Sequence, residues 1–206
     1  MRVTKDPEER KNEILDTAER LFYGKGYEAA TVNDILEEIK IAKGTFYYYF
    51  KSKEEVLDAL IERRILYGVE KARQIIAQPL PPVQKLLAVI MEQKPQEKEQ
   101  ENMIAVLHEK NNSKMHVKSI TQTIIHLAPC LADVIKEGID VKIFNTQYPL
   151  ECAEFLLASA LMLFDDDFFK WQKKELNKKI AAFLITIERT LGAKSGSCTE
   201  LLKAFS

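Results

Sequence analysis

The chain has 206 residues, 46% of them hydrophobic, with 30 Lys and Arg against 31 Asp and Glu for a formal net charge of -1 and only seven glycines. This composition excludes a disordered or Gly-rich chain, and no run of about 18 consecutive uncharged apolar residues is present to suggest a membrane span. The first ten positions are charged, so no secretory signal is expected and the protein is expected to be cytoplasmic; Cys130, Cys152 and Cys198 lack metal-ligand spacing and are expected as reduced thiols.

In chain order, Met1 to Lys5 is a short basic arm, read either as a frayed terminus or as a segment that reaches DNA. Asp6-Pro7-Glu8-Glu9 supplies an N-cap, a proline at the first helical position and a reciprocal carboxylate, so a first helix starts here. Its Ile14, Leu15, Ala18, Leu21 and Phe22 recur at helical spacing and predict a face that packs across the next two helices. Thr31 is an N-cap whose hydroxyl can accept from the Asp34 N–H, and Ile35, Leu36 and Ile39 then share one face of a second helix. Lys40, Ile41 and Ala42 form a break. Lys43-Gly44-Thr45-Phe46-Tyr47-Tyr48-Tyr49-Phe50 is short enough for a two-turn third helix, with Phe46 and Phe50 turned inward and Tyr47 and Tyr48 turned largely elsewhere. Ser52-Lys53-Glu54-Glu55 reads as a capping box opening a fourth helix, whose first-turn N–H groups would seat a phosphate.

Two short helices, a break and an aromatic, basic second helix are the layout of a helix-turn-helix. From Lys40 to Lys53 there are four lysines and no acid, whereas residues 1–53 as a whole hold ten Lys and Arg and ten Asp and Glu. The basic signal is a patch. Such a patch suits phosphate contacts that position a small reading helix better than indiscriminate coating of nucleic acid.

At these residues the chain resembles the N-terminal DNA-binding domain of the TetR/AcrR family of bacterial transcriptional regulators. Leu21-Phe22 and Gly26-Tyr27 match the end of the family's first helix, Thr31 opens the second, Lys43-Gly44 starts the third, Tyr47-Tyr48-Tyr49-Phe50 ends it, and Lys53-Glu54 begins the fourth. Lys40 stands where the family usually has a turn glycine and Ala42 where a capping serine is common, departures that cost on the order of 1 kcal/mol each. The resemblance implies Thr31, Tyr47 and Lys53 as phosphate contacts, with Lys43, Gly44, Thr45 and Tyr48 facing the major groove. There Lys43 can donate to guanine edges, Gly44 allows close backbone approach and Thr45 can meet a thymine methyl or a base edge. It also implies an all-α fold: a helix-turn-helix domain over 1–52, then a helical effector-binding and dimerisation domain over 53–206. The fourth helix would bridge the two, its tilt transmitting ligand binding to the reading helix.

Past Lys53 the pattern is helical throughout. The fourth helix is predicted over about 53–78, from Val56 to Ile76 in threes and fours, ending before Pro79-Leu80-Pro81-Pro82. Further helices are predicted over 83–93, 99–109, 118–137, 149–164 and 173–191, with 94–101 an exposed connection or frayed helix start and 192–206 a short final helix or disorder. Residues 151–164 and 180–187 are apolar nearly all round. Read alone they fit the core of a monomer as well as the pairing of two chains in a four-helix bundle. A homodimer suits a helix-turn-helix, because each reading unit then binds one of two half-sites a DNA turn apart, roughly 34 Å.

His108, His116 and His126, with Cys130 four residues after His126, invite a metal reading; but no HxH or HExxH spacing exists, and neither a metal nor another cofactor is expected. Asp165-Asp166-Asp167 is read as the cap of a helix starting ahead of Phe168 rather than as a cation site. No nucleophile elbow, P-loop or dinucleotide fingerprint occurs, so no catalysis is expected. An effector pocket is expected between the middle helices among Met91, Met103, Leu107, His108, Ile120, Ile124, Leu127, Phe155 and Phe164, because Met and aromatic side chains line adaptable apolar pockets. The expected function is a ligand-responsive homodimeric regulator, a repressor that binds a palindromic double-stranded DNA operator and answers to an unidentified small molecule. The competing reading is a ligand carrier or protein-interaction scaffold with a non-functional helix-turn-helix. Activation in place of repression stays open, since the sign depends on where the operator lies.

Overall fold

Helix signals placed at regular intervals produce eight helices, and no strand, among the residues described. The computed structural model describes residues 6–92, 113–165 and 168–198. They are α1 (Pro7–Lys25), α2 (Val32–Ile39), α3 (Lys43–Tyr49), α4 (Lys53–Ile76), α5 (Pro82–Glu92), α6 (Ser113–Asp140), α7 (Pro149–Leu163) and α8 (Lys173–Thr190). The described residues among 1–64 and 95–119 form one compact unit, and those among 65–94 and 120–206 form another. The predicted helix over 99–109 and the connection over 94–101 lie outside the described residues.

In the first unit, Asp6 caps α1 by accepting from the Glu8 N–H at 2.9 Å, with Pro7 at the first helical position. The helix buries Ile14, Leu15, Ala18 and Phe22, and its chain turns at Gly26 with φ 83°. Ile35 of α2, Phe46 of α3, Phe50 just beyond it, and Val56, Leu57, Leu60 and Ile61 of α4 complete a core of fully buried side chains. Each such side chain contributes about 1.5–3 kcal/mol of apolar burial, which holds three short helices that would be marginal alone. Ion pairs lace the outside: Arg63 of α4 reaches Asp16 and Glu19 of α1, and Arg20 and Lys25 of α1 reach Glu38 and Asp34 of α2.

In the second unit the buried faces are Ile65, Val69 and Ala72 of α4, Val83, Leu86, Leu87 and Val89 of α5, and Leu127, Leu131, Val134 and Ile135 of α6, together with Leu156, Leu157, Leu184 and Ile187. Lys85 buries its stem and sets its ammonium between both carboxylate oxygens of Glu137, at 2.8 and 3.0 Å. Helix α6 ends against Phe144, whose ring would stand 2.1 Å from a Cβ at Gly138; only glycine leaves it room. Glu188 is 3% exposed and accepts from the Gly196 and Cys198 N–H groups at 2.8 Å each, fastening the turn after α8. Burial, with Glu188 close by, pushes the Cys198 thiol up to about 11, so it stays protonated; all three cysteines are unpaired.

Two expectations are corrected here. Residues 168–172 are not helical, so the aspartate run does not open a helix at Phe168. The Trp171 indole N–H donates to the Leu163 carbonyl at 2.8 Å and stacks on Phe169, and α8 opens instead at Gln172, through reciprocal bonds with Glu175. Pro129 does not interrupt its helix either: α6 runs through it, the proline lying on an exposed face where a carbonyl left without its N–H partner meets water.

Candidate nucleic-acid interface

The seven-residue α3 is held from beneath by Phe46 and Phe50, both buried, with ring centroids 6.1 Å apart. Its opposite surface is open. Lys43 and Gly44 are exposed, Thr45 is half-buried, and Tyr47 and Tyr48 are 46% and 79% exposed. Tyr47 meets Phe46 edge-on at 5.4 Å and carries the Lys43 ammonium 5.8 Å above its ring; Tyr48 meets the half-buried Tyr49 edge-on at 4.9 Å. A tyrosine with four-fifths of its surface in water gains little from burial, so the outer face of α3 is not explained by packing.

The turn before α3 bears the two departures foreseen in the sequence. Lys40 adopts the left-handed conformation with φ 54° and ψ 46°, a cost of about 1 kcal/mol that glycine would avoid. Ala42 has the extended backbone of an N-cap with no side-chain cap bond. The helix still forms, because its two phenylalanines and the Ile41 N–H bond to the Leu36 carbonyl at 3.1 Å fix the turn.

Charge is distributed unevenly over the first unit. Lys25, Arg20, Arg63 and Lys118 are all held by carboxylates, whereas Lys40, Lys43 and Lys51 are exposed with no ion pair among the described residues. Uncompensated ammonium groups flanking a short exposed helix attract polyanions over about 8–10 Å at physiological salt. Gly44 adds a geometric argument. A Cβ there would meet nothing within 4 Å, so the fold does not need a glycine, which costs roughly 0.5–1 kcal/mol in a helix. The space serves something outside the chain. Gly44→Ala is therefore expected to leave thermal stability equal or slightly higher while weakening duplex binding at least about tenfold, as read by melting and by fluorescence anisotropy; unchanged binding would remove this residue from the interface.

Thr31 and Lys53 are placed differently from the α3 residues. The Thr31 hydroxyl accepts from the Asp34 N–H at 3.1 Å and bonds the Asp34 carboxylate at 2.8 Å, while the same carboxylate accepts the Thr31 N–H, also at 2.8 Å. Lys25 and these Thr31 bonds hold the Asp34 carboxyl down at about 2, so the cap keeps its charge through the physiological range. The Lys53 ammonium turns inward onto backbone carbonyls of residues 27, 28 and 30. At the start of α4 the Ser52 hydroxyl accepts from the Glu55 N–H, and Glu55 reaches back to the Lys51 N–H rather than to that of Ser52. Its own N–H and the Ser52 hydroxyl hold the Glu54 carboxyl below its ordinary range, so this helix start is served by the chain's own acids. The inward turn of Lys53 depends on carbonyls more than twenty positions away, which no local pattern reveals.

Residues 14–60 match the model of the bacterial regulatory proteins of the tetR family, and residues 95–186 match that of the tetracyclin repressor-like C-terminal domain. The chain belongs to the TetR family. It is 47% identical over 55 residues to the uncharacterized HTH-type transcriptional regulator in the lacX 3' region of Lactococcus lactis subsp. lactis, covering 27% of this chain and 28% of that protein. It is 31% identical over 85 residues to the HTH-type transcriptional repressor KstR2 of Mycolicibacterium smegmatis, covering 41% of this chain and 42% of that repressor. These matches span less than half of either relative's length. A TetR-family regulator of Pectobacterium atrosepticum, solved as a crystal structure, shares the fold with a TM-score of 0.64 at 17% identity, over 89% of this chain and 95% of that one.

Of the effector-pocket candidates in this TetR-family chain, Met103, Leu107 and His108 lie outside the described residues. Leu127 is buried, Ile120, Ile124 and Phe164 are half-buried, and Phe164 meets Phe183 edge-on at 5.5 Å. Met91 and Phe155, at 43% and 68% exposed, stand in solvent and do not line an enclosed space within one chain. Among the described residues no three His, Cys, Asp or Glu side chains converge as metal ligands, and no helix is long and apolar enough to cross a membrane.

Proposed function

We propose that this TetR-family chain is a ligand-responsive transcriptional regulator, a repressor that binds a palindromic operator as a homodimer with α3 in the major groove. The observation that carries the reading is the outer face of α3, where exposed Lys43, Gly44, Tyr47 and Tyr48 lie over a buried phenylalanine pair, flanked by unpaired Lys40 and Lys51. Lys43, Gly44, Thr45 and Tyr48 read base edges; Tyr47 and the Thr31 end of α2 approach phosphates. No catalysis is assigned to the chain, and its place of action is the cytoplasm. Repression is favoured by the likeness to the repressor KstR2.

Exposed apolar side chains of α7 and α8 support the homodimer. Phe155, Met162 and Leu163 of α7 and Ile185 of α8 are 68%, 39%, 38% and 44% exposed, more apolar surface in water than a lone chain gains from. Two copies paired about a two-fold axis would cover these faces. Phe155→Glu is expected to shift sedimentation from dimer to monomer and, by uncoupling the two heads, to weaken operator binding about a hundredfold or more. A Glu variant that stays dimeric would move the interface elsewhere. A small molecule bound in the second unit would release DNA only as far as it prefers a dimer whose heads no longer match the half-sites.

Selection of duplex fragments from a random library by the purified protein tests the proposal. An inverted repeat with half-sites about one helical turn apart is the expected product, and recovery of no sequence, or of one without inverted symmetry, would overturn it.

A further inference from the structure

The first unit contains one cation whose surroundings are wholly internal. Lys53, at the first position of α4, points its ammonium at the carbonyl oxygens of Tyr27, Ala30 and Glu28, at 2.7, 3.0 and 3.5 Å, and lies 4.2 Å over the centre of the Tyr27 ring. An ammonium has three N–H donors and no more. All three directions are thus committed, and the remaining side is covered by a ring that is itself 5% exposed and packed edge-on against Phe22 at 5.1 Å.

The carbonyls explain why the cation is there. Beyond Gly26 the chain closes a tight loop through the Ala30 N–H bond to the Gly26 carbonyl at 3.1 Å, which turns the oxygens of residues 27, 28 and 30 toward one point. Converging carbonyl dipoles repel one another unless a cation sits among them, and buried backbone acceptors without a donor are costly. The next residue is Thr31, the N-cap of α2.

We infer that Lys53 is a positioning residue for DNA binding rather than a phosphate ligand: its ammonium clamps the 27–30 loop to the first turn of α4 and so fixes where α2, and α3 after it, begin. The inference rests on the DNA-binding reading above, but its first test does not. Withdrawing Lys53 to reach a phosphate would strand three carbonyls, whereas Lys40, Lys43 and Lys51 have no such ties.

Lys53→Met keeps the stem and removes charge and donors. By hydrogen exchange on the full-length protein without DNA, the Ala30 and Thr31 amides are expected to exchange at least about tenfold faster while interior amides of α1 keep their protection. Wild-type exchange at both amides would overturn the clamp, whatever happens with DNA. Failure of the variant to fold would side with the clamp, since an arm reaching for phosphate does nothing for the free protein; Lys53→Gln, which retains two donors, then carries the second measurement. On the selected duplex, either variant is expected to weaken binding with a nearly unchanged slope of log affinity against log salt. A slope reduced by about 0.9, the mark of one lost phosphate contact, would overturn the inference even if wild-type DNA binding is confirmed.

Discussion

Alanine at both Lys43 and Tyr47 is expected to lower affinity for the selected operator by roughly a hundredfold or more at fixed salt, with the dimer intact and the melting temperature nearly unchanged. Both side chains are exposed, and both lie on the face of α3 away from Phe46 and Phe50. A base-reading lysine contributes about 1–3 kcal/mol at each half-site, and a dimer loses that contribution twice. The lysine lies 5.8 Å over the tyrosine ring, so the two changes are expected to be less than additive. Titration of labelled operator with the variant, beside sedimentation of the same sample, checks this. Unaltered affinity with specific binding retained would move the reading surface off α3; absence of specific binding in the wild type as well would favour the scaffold alternative.

Phe46→Ala acts from the other side of the same helix. Phe46 is 0% exposed, touches Phe50 and Tyr47 ring to ring, and is the buried anchor within α3 itself. Truncating a fully buried phenylalanine costs about 3–5 kcal/mol through lost burial and the cavity left behind. In a unit whose α2 and α3 have eight and seven residues, that is enough to loosen the helix-turn-helix while the second unit stays folded. Urea unfolding followed in the two units separately is expected to show the early transition shifted and the late one unmoved, with operator binding lost. A shift worth less than about 1 kcal/mol would mean that α3 is held by something other than its phenylalanine pair.

What was legible in the sequence was local. Thr31 and Asp34, three residues apart, form the predicted cap; Phe46 and Phe50, four apart, are both buried; and α1, α4, α5, α7 and α8 begin or end within two residues of their predicted limits. Helical spacing and capping chemistry act over one or two turns, so they can be read without knowing the fold. Contacts between distant segments could not be read. The Lys53 ammonium is placed by residues 27–30, Glu188 by amides of a turn that follows its helix, and the stretch before α8 by Trp171 reaching back to Leu163. Pro129 misled for a related reason: whether a proline breaks a helix depends on whether the bared carbonyl meets water, which the sequence does not record. Phe155 was chosen for a pocket on side-chain type alone, and the direction of its face places it in solvent.

The central claim is that α3 of each of two copies enters a major groove, and guanine N7, which lies only in that groove, reports it directly. Dimethyl sulfate footprinting on the selected duplex is predicted to show N7 protection in two patches related by inverted symmetry, about one helical turn apart on one face of the DNA, and lost together in the Lys43→Ala/Tyr47→Ala variant. Full binding with N7 groups left open throughout, or a single unpaired patch, would contradict the account.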